Sequence, residues 1–593
     1  MKRISLTAAT LFTGVLAHAQ CGLLTVSGTI NPAQTITLQL SSSATYGQGF
    51  LFAGDALGST FLDLGPLGSL TIGIQTPYIL LPIGPTNANG YLTYSFSIPA
   101  TASTVYLPPS FSFQMVAATL AAAGPQLLSF CVSNTATIVP AGLNAAVAFD
   151  NWHGLALAAN ALDHTPSTQG PLHLQGHQAG PCRTARALAM VHIAMFEAML
   201  AVEGGYQSYL GLTPVGAPTS EPAAIAQAAH DVLASLYPSQ AWIFDAALAV
   251  DLGLVPDGAM KTAGVSLGQT AATAMLTMRA SDGSNHVEPV VNSGFLCSNL
   301  PGFWRPDLIT PNPVALGANW SQVAPFVLSS TSQFAAPTPP AMTSLQYLVA
   351  YYEVYALGGD GITSPNVRTQ DQTQAGLFWG YDGSPGLGTP PRLFNQILSH
   401  LANLRGATTF ETAHLLALAN TAMADSAVAC WHSKYLYQFW RPTSAIREAD
   451  PGTGPSGLGD GNPGTIADPN WSPLGAPASN SMNPNFTPPF PAYPSGHATF
   501  GGTTFQTLRR FFGTDAIAFS FVSDELNGIT RDNQGVPRPL VPRTFLSLSQ
   551  AEEENGQSRI YLGIHWNFDK TAGIEQGRNV ADWVFDHMYP TIP

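Results

Sequence analysis

Three short segments concentrate the residues that could do chemistry. The first is Lys434-Tyr435-Leu436-Tyr437-Gln438-Phe439-Trp440-Arg441-Pro442. Lys434 and Arg441 are seven apart, two turns of a helix, which predicts one helical face carrying both cations toward one ligand. Pro442 disfavours helical geometry at Arg441 and predicts the end of the helix there. A solvated basic face is the ordinary reading of such a pair. Here lysine is scarce, being confined to Lys2, Lys261, Lys434 and Lys570, and Lys434 sits among aromatics. The second segment is Pro491-Ala492-Tyr493-Pro494-Ser495-Gly496-His497-Ala498-Thr499-Phe500. Ser495 is placed to cap a helix whose first N–H groups point outward, and Gly496 lets an oxyanion approach the backbone. His497 would then stand beside the anion, where a general acid or base belongs. Alone, Ser-Gly-His reads more simply as a capped helix with a surface histidine. In the third segment, Ser558 to Asp569, Arg559 supplies a forked cation, and His565 and Asp569 are four apart. One helical turn would bring that carboxylate to the imidazole, fixing its tautomer and raising its basicity. Together the segments describe a cage for a tetrahedral oxyanion with two histidines in different tasks, one bonding the central atom and one moving protons. Spacing alone leaves phosphoryl transfer and vanadate chemistry both open.

The three segments resemble the signature of the superfamily that joins type-2 phosphatidic acid phosphatases to vanadium haloperoxidases. That signature is Lys, six residues, Arg-Pro; then Pro-Ser-Gly-His; then Ser-Arg, five residues, His, three residues, Asp, and every fixed position is present in order. Within the superfamily the surroundings are similar to the fungal-type vanadium chloroperoxidases. The run Pro488 to Gly501, with Phe490, resembles their active-site loop, and Trp431 lies three residues before Lys434. Tyr381-Asp382-Gly383-Ser384 and Thr389-Pro390-Pro391-Arg392 resemble them too. The likeness runs over roughly residues 145 to 590 and is strongest after 365.

What the resemblance implies is specific. The fold would be a helical bundle and the cofactor vanadate, with His565 its one protein ligand to the metal, held by Asp569. Lys434, Arg441 and Arg559 would neutralise the vanadate oxygens, while Ser495 and Gly496 donate hydrogen bonds. Asp382 would balance a vanadate-binding arginine. His497 would take a proton from hydrogen peroxide, Lys434 would polarise the bound peroxide, and Trp431 with Phe490 would form the apolar halide side. The reaction would be oxidation of chloride or bromide by hydrogen peroxide to hypohalous acid, passed on to small organic acceptors. The resemblance fixes no oligomeric state. An exported acid phosphatase is the competing reading: His565 would be the nucleophile and His497 the acid for the leaving group. Trp431, Phe490 and Asp382 favour the peroxidase. A third reading makes the enzyme domain accessory to an N-terminal adhesin.

These residues need a scaffold, and the remaining sequence predicts a mainly α chain whose helical domain follows a small all-β sandwich. The 593 residues carry formal net charge -14 with only 9% charged residues. That balance excludes a nucleic-acid footprint and docking on an anionic membrane surface. Lys2, Arg3, the apolar run Ile4 to Leu16 and Ala17-His18-Ala19 read as an export signal over 1–19, placing the protein in the periplasm or outside the cell. No later stretch reads as a clean transmembrane helix. From 20 to 140 the chain alternates polar and apolar residues, as in Gln34–Leu40 and Thr93–Ile98, with Gly, Pro and Asn between, which predicts the sandwich. From 145 to 593 the pattern is helical, with helices expected at 183–200, 221–250, 258–280, 342–357, 391–405, 410–440, 497–512 and 570–588, and a long loop at 449–494. Thr409 to Ala413, with Glu411, predicts a capped helix start. Of the cysteines, Cys21 with Cys131 and Cys182 with Cys297 are possible disulfides, leaving Cys430.

Overall fold

The computed structural model describes residues 143–166, 176–364 and 366–592 in full, and before them the backbone of eleven strands between His18 and Ile138. The export-signal expectation falls mostly outside these described residues. Two compact units emerge, Met1–Asn151 with Ala249–Pro256, and Trp152–Leu248 with Asp257–Pro593.

In the first unit, the alternating segments read from the sequence are strands at Thr35–Ser41 and Tyr91–Ser97, paired antiparallel with each other. A larger sheet runs through Phe111–Leu120 and Gln48–Gly54, also antiparallel. A sandwich needs sheets packed face to face by side chains, and those side chains, with Cys21 and Cys131, lie outside the described residues.

Among the described residues thirteen α-helices follow: α1 (Ala145–Asp163), α2 (Pro181–Glu203), α3 (Glu221–Leu236), α4 (Ala241–Leu254), α5 (Ala259–Arg279), α6 (Leu345–Gly358), α7 (Gln370–Phe378), α8 (Pro390–Leu404), α9 (Thr409–Tyr437), α10 (Pro442–Arg447), α11 (Gly496–Phe512), α12 (Leu548–Tyr561) and α13 (Asn567–His587). The expected single helix at 221–250 is two, because Tyr237-Pro238 breaks it and a 3₁₀ turn at Pro238–Gln240 intervenes. α2 is long and apolar enough to cross a membrane, which the sequence reading did not anticipate. Nearly all of it is buried against α9, α3 and α5, as a core helix is. Cys182 and Cys297 are not bonded: the first is buried in the first turn of α2, and the second is half-buried in an irregular loop.

Two features of the second unit place the chemistry. α9 starts with a reciprocal capping box, in which the Thr408 hydroxyl accepts from Glu411 N while the Glu411 carboxylate accepts from Thr408 N. Its Ala-rich length is then buried almost continuously from Thr412 to Lys434. α11 and α13 pack backbone against backbone through glycines. A Cβ on Gly577 would lie 2.1 Å from the Thr499 carbonyl oxygen, one on Gly573 2.7 Å from the Ser495 oxygen, and one on Gly502 2.4 Å from the Ile574 oxygen. This close approach fixes the start of α11, with Ser495 and His497, against the start of α13, with Asp569. Gly577→Ala should therefore lower folding stability by about 1–3 kcal/mol through overpacking, measurable by chemical denaturation. An unchanged midpoint would mean the two helices are not so closely held.

Candidate functional site

α9 ends earlier than the sequence suggests. Gln438 takes a left-handed conformation (φ 49°) after Tyr437, and the chain turns to pair Phe439 with Phe303. Arg441 is extended (φ -83°, ψ 155°), as a residue before proline prefers, and precedes α10. Lys434 and Arg441 thus do not share one helical face. They converge because the 488–494 loop and the turn before α13 come to meet them.

Lys434 is fully buried, and its ammonium donates to the carbonyls of Pro491 (2.9 Å), Ala492 (3.0 Å) and Pro494. With its three N–H bonds so engaged, it acts on its surroundings through charge. Its nitrogen lies 5.0 Å from the centre of the Phe490 ring and 5.5 Å from that of Trp431. Arg441 donates to the carbonyls of Phe490 (3.0 Å) and Ile564 (2.9 Å), and its Nη1 lies 2.9 Å from His565 Nε2. Ser495 is the N-cap of α11, with its Oγ accepting from Ala498 N. Gly496 follows beneath the indole: a Cβ there would come within 3.1 Å of the Trp431 ring, so a side chain would crowd the helix start.

His497 Nε2 lies 2.7 Å from the Gly380 carbonyl oxygen. A carbonyl only accepts, so Nε2 carries the hydrogen and Nδ1 the lone pair. Asn555 Nδ2 holds the His497 backbone carbonyl at 2.8 Å. Arg559 stands in the last turn of α12, a helix that the polar segment LSQAEEENGQSRIY did not advertise. Its Nη2 donates to Asp382 Oδ1 at 2.7 Å, while its Nε and Nη1 are buried without a partner.

His565 and Asp569 meet, though not along one helical turn. His565 precedes α13, and Asp569 lies in the helix's first turn. Asp569 Oδ2 accepts from His565 Nδ1 at 2.8 Å and from Trp566 N at 3.1 Å. The carboxylate therefore holds the imidazole proton on Nδ1 and presents the Nε2 lone pair, which faces Arg441.

His497, His565, Arg559, Asp382, Gly496, Trp431 and Phe490 line one cavity of about 270 Å³. Trp431 and Phe490 have ring centroids 5.0 Å apart and form part of its apolar side with Leu316, Phe486 and Phe500. Lys434, Arg441, Ser495 and Asp569 stand behind the lining. Sequence reasoning missed Gly380, Asn555 and Leu316, whose carbonyl accepts from Trp431 Nε1 at 3.1 Å. Their contacts bridge distant segments and leave no local signal.

Burial dominates the electrostatics. It pushes Lys434 down to about 7 and Arg441 down to about 9, the latter with help from Arg559. It pushes Asp569 up to about 7 and His497 down to about 4, again with Arg559 contributing. His565 falls well below the ordinary histidine range through burial and the neighbouring cations. Buried cations with unpartnered N–H groups need an anion. The two free donors of Arg559, with Lys434 and Arg441 behind them, fit a tetrahedral oxyanion, and the His565 lone pair fits its electrophilic centre. Among the described residues no group of histidine, cysteine and carboxylate side chains could by itself hold a metal ion.

A pH dependence follows. In the free protein Lys434 and Asp569 both titrate near 7. An anion stabilises protonated Lys434 and neutral Asp569, raising both values in the complex. Binding therefore takes up protons above pH 7, and affinity falls as pH rises. Sulfate, whose charge is constant over this range, should bind most tightly on the acid side of pH 7, where His497 also takes up a proton beside it. Above about pH 8 it should weaken about tenfold or more per unit. Calorimetric titration would show this, and a level affinity from pH 6 to 9 would refute the charge assignment.

Comparisons with known proteins agree with this geometry. Residues 414–592 match the family described as the VCPO second helical-bundle domain. The chain is 32% identical over 502 residues to the vanadium chloroperoxidase of Curvularia inaequalis, spanning 71% of this chain and 78% of that one. Among solved structures it resembles the first bacterial vanadium-dependent iodoperoxidase, with TM-score 0.58, 23% identity, and coverage of 76% of this chain and 98% of that one. A bacterial vanadium-dependent chloroperoxidase in its holo form is similar at TM-score 0.50 and 16% identity, covering 71% and 96%. These structural likenesses speak for the fold.

Proposed function

This chain belongs to the vanadium haloperoxidase family, and from that premise we propose that it oxidises halide with hydrogen peroxide to hypohalous acid, using vanadate. The observation that carries the reading is the buried cage: an imidazole fixed by Asp569 with its Nε2 toward Arg441, in one cavity with Arg559, whose Nε and Nη1 have no partner. Overall, one halide, one hydrogen peroxide and one proton give one hypohalous acid and one water.

Bound vanadate supplies a Lewis-acidic centre that activates peroxide toward halide without a change in its oxidation state. His565 Nε2 would hold it, Arg559, Arg441 and Lys434 would neutralise its oxygens, and Ser495 Oγ and the Gly496 N–H would donate to them. Asp569 keeps the His565 proton on Nδ1, so Nε2 stays an electron-pair donor. Whatever bonds to that nitrogen displaces its contact with Arg441 Nη1. Asp382 balances Arg559 and holds its guanidinium at the cavity. His497, neutral at ordinary pH, accepts a proton from hydrogen peroxide at Nδ1 and returns it to the departing oxygen, while Gly380 fixes the ring through Nε2. Trp431 and Phe490 exclude water on the halide side, and the Lys434 charge behind them favours an anion there.

Adding vanadate to vanadate-free protein should switch on peroxide-dependent oxidation of bromide, and phosphate should suppress it in competition with vanadate. Oxidation that ignores both additions would reject the reading.

Residues 1–19 belong to the same proposal as an export leader, supported by their basic start and apolar run. So does an accessory β-sandwich over 20–140, supported by its antiparallel strand pairing.

A further inference from the structure

Three successive residues outside the motifs grip the stretch that carries Asp382. The Ser523 hydroxyl donates to the Phe378 carbonyl (2.6 Å), Asp524 N donates to the Tyr381 hydroxyl (2.8 Å), and Glu525 Oε1 accepts from Tyr381 N (3.3 Å). The carboxylate packs against Gly380, where a Cβ would come within 2.5 Å of Oε1. Its other oxygen accepts from Ser479 Oγ (2.6 Å) and from Arg538. Glu525 is wholly buried and Arg538 nearly so.

The gripped stretch is itself strained. Tyr381 holds a left-handed φ of 55°, which a residue with a side chain keeps only when its surroundings impose it. On either side of that residue hang two parts of the site. The Gly380 carbonyl takes the His497 Nε2 hydrogen, and the Asp382 carboxylate pairs with Arg559. A small rotation about Tyr381 would move both together.

We propose that Glu525 is a positioning residue, which fixes the Gly380–Asp382 turn and through it the orientation of both His497 and Arg559. It touches neither the oxyanion nor the halide. Its activity arm rests on the haloperoxidase reading, while its binding and spectroscopic arms do not.

Two substitutions separate positioning from simple stability. Both Glu525→Gln and Glu525→Leu leave the buried Arg538 charge without its counter-charge and should lose stability. Only the glutamine keeps an oxygen for Tyr381 N. With vanadate, Glu525→Leu should lower kcat about 10- to 100-fold, the range for lost supporting contacts, with the KM for bromide unchanged. Without vanadate, it should weaken sulfate binding about tenfold and shift the His497 Nε2 signal in nitrogen NMR away from its hydrogen-bonded position. Glu525→Gln should stay within about threefold of the parent on each measure, a margin below the loss of a neutral hydrogen bond. If Glu525→Leu folds poorly, the pair Glu525→Leu with Arg538→Met removes the unpaired charge and should show the same losses. Parent-like sulfate binding and His497 signal in the leucine variants would overturn the proposal, as would equal losses in Leu and Gln. If even the parent oxidises no bromide, the haloperoxidase reading fails, and the sulfate and NMR arms still decide the role of Glu525.

Discussion

Replacing His565 by alanine is expected to abolish retention of vanadate and to take halide oxidation to background. The Nε2 lone pair is presented to the cavity by a proton fixed on Nδ1 through Asp569. Losing a mere supporting partner of a ligand typically costs 10- to 100-fold, so losing the ligand should weaken vanadate binding by about a thousandfold or more. The fold should survive. Asp569 titrates near 7, so it can lose its charge, and it keeps the Trp566 N–H. The stability cost should stay at about 1–2 kcal/mol. Sulfate should still bind, because Lys434, Arg441 and Arg559 remain. Vanadium analysis after gel filtration, beside a melting curve, checks this. A variant that keeps its vanadium and its activity would show the ligand to be elsewhere.

The second large effect is expected at His497. Its alanine variant should retain vanadate and lose about 10²- to 10⁴-fold in kcat, the ordinary contribution of a positioned acid–base group. The contrast with His565→Ala separates binding the cofactor from moving the proton. The pH profile carries a further mark. Burial and Arg559 hold the His497 pKa down to about 4, so the base is available above that value. As pH falls through it, Nδ1 takes up a proton and the rate drops; a bound anion raises the value and moves the limb upward. His497→Ala should lack this acid limb. Equal vanadate loss in the two variants, or an unchanged limb in His497→Ala, would contradict the division of roles.

Much of the site was readable because its residues are chemically unusual in this chain. A lysine among aromatics, a proline-rich loop ending in Ser-Gly-His, and a histidine four before an aspartate each stood out, and the structure gathers all three segments around one cavity. The local geometry was less readable. Lys434 and Arg441 have helical spacing, yet Gln438 turns left-handed and Phe439 pairs with Phe303, a contact 136 residues away that no window of sequence contains. His565 and Asp569 likewise have helical spacing, but the helix begins between them. α12 escaped notice because much of its buried face is polar, and two of those residues, Asn555 and Arg559, reach the site. Glu525 was invisible for the same reason, since its meaning comes from Tyr381, Ser479 and Arg538, brought together only by the fold. In the N-terminal unit, alternation located the strands at 35–41 and 91–97 to within two residues.

The most direct test is a paired assay on one vanadate-free preparation. Half receives orthovanadate, hydrogen peroxide and bromide or chloride, with a halogen-trapping dye; the other half receives a phosphate ester without vanadate. The predicted result is vanadate-dependent halogenation that vanishes in His565→Ala, with little ester hydrolysis. Rapid ester hydrolysis with no halogenation would contradict the account and give the same pocket, with His565 as nucleophile, to phosphoryl transfer.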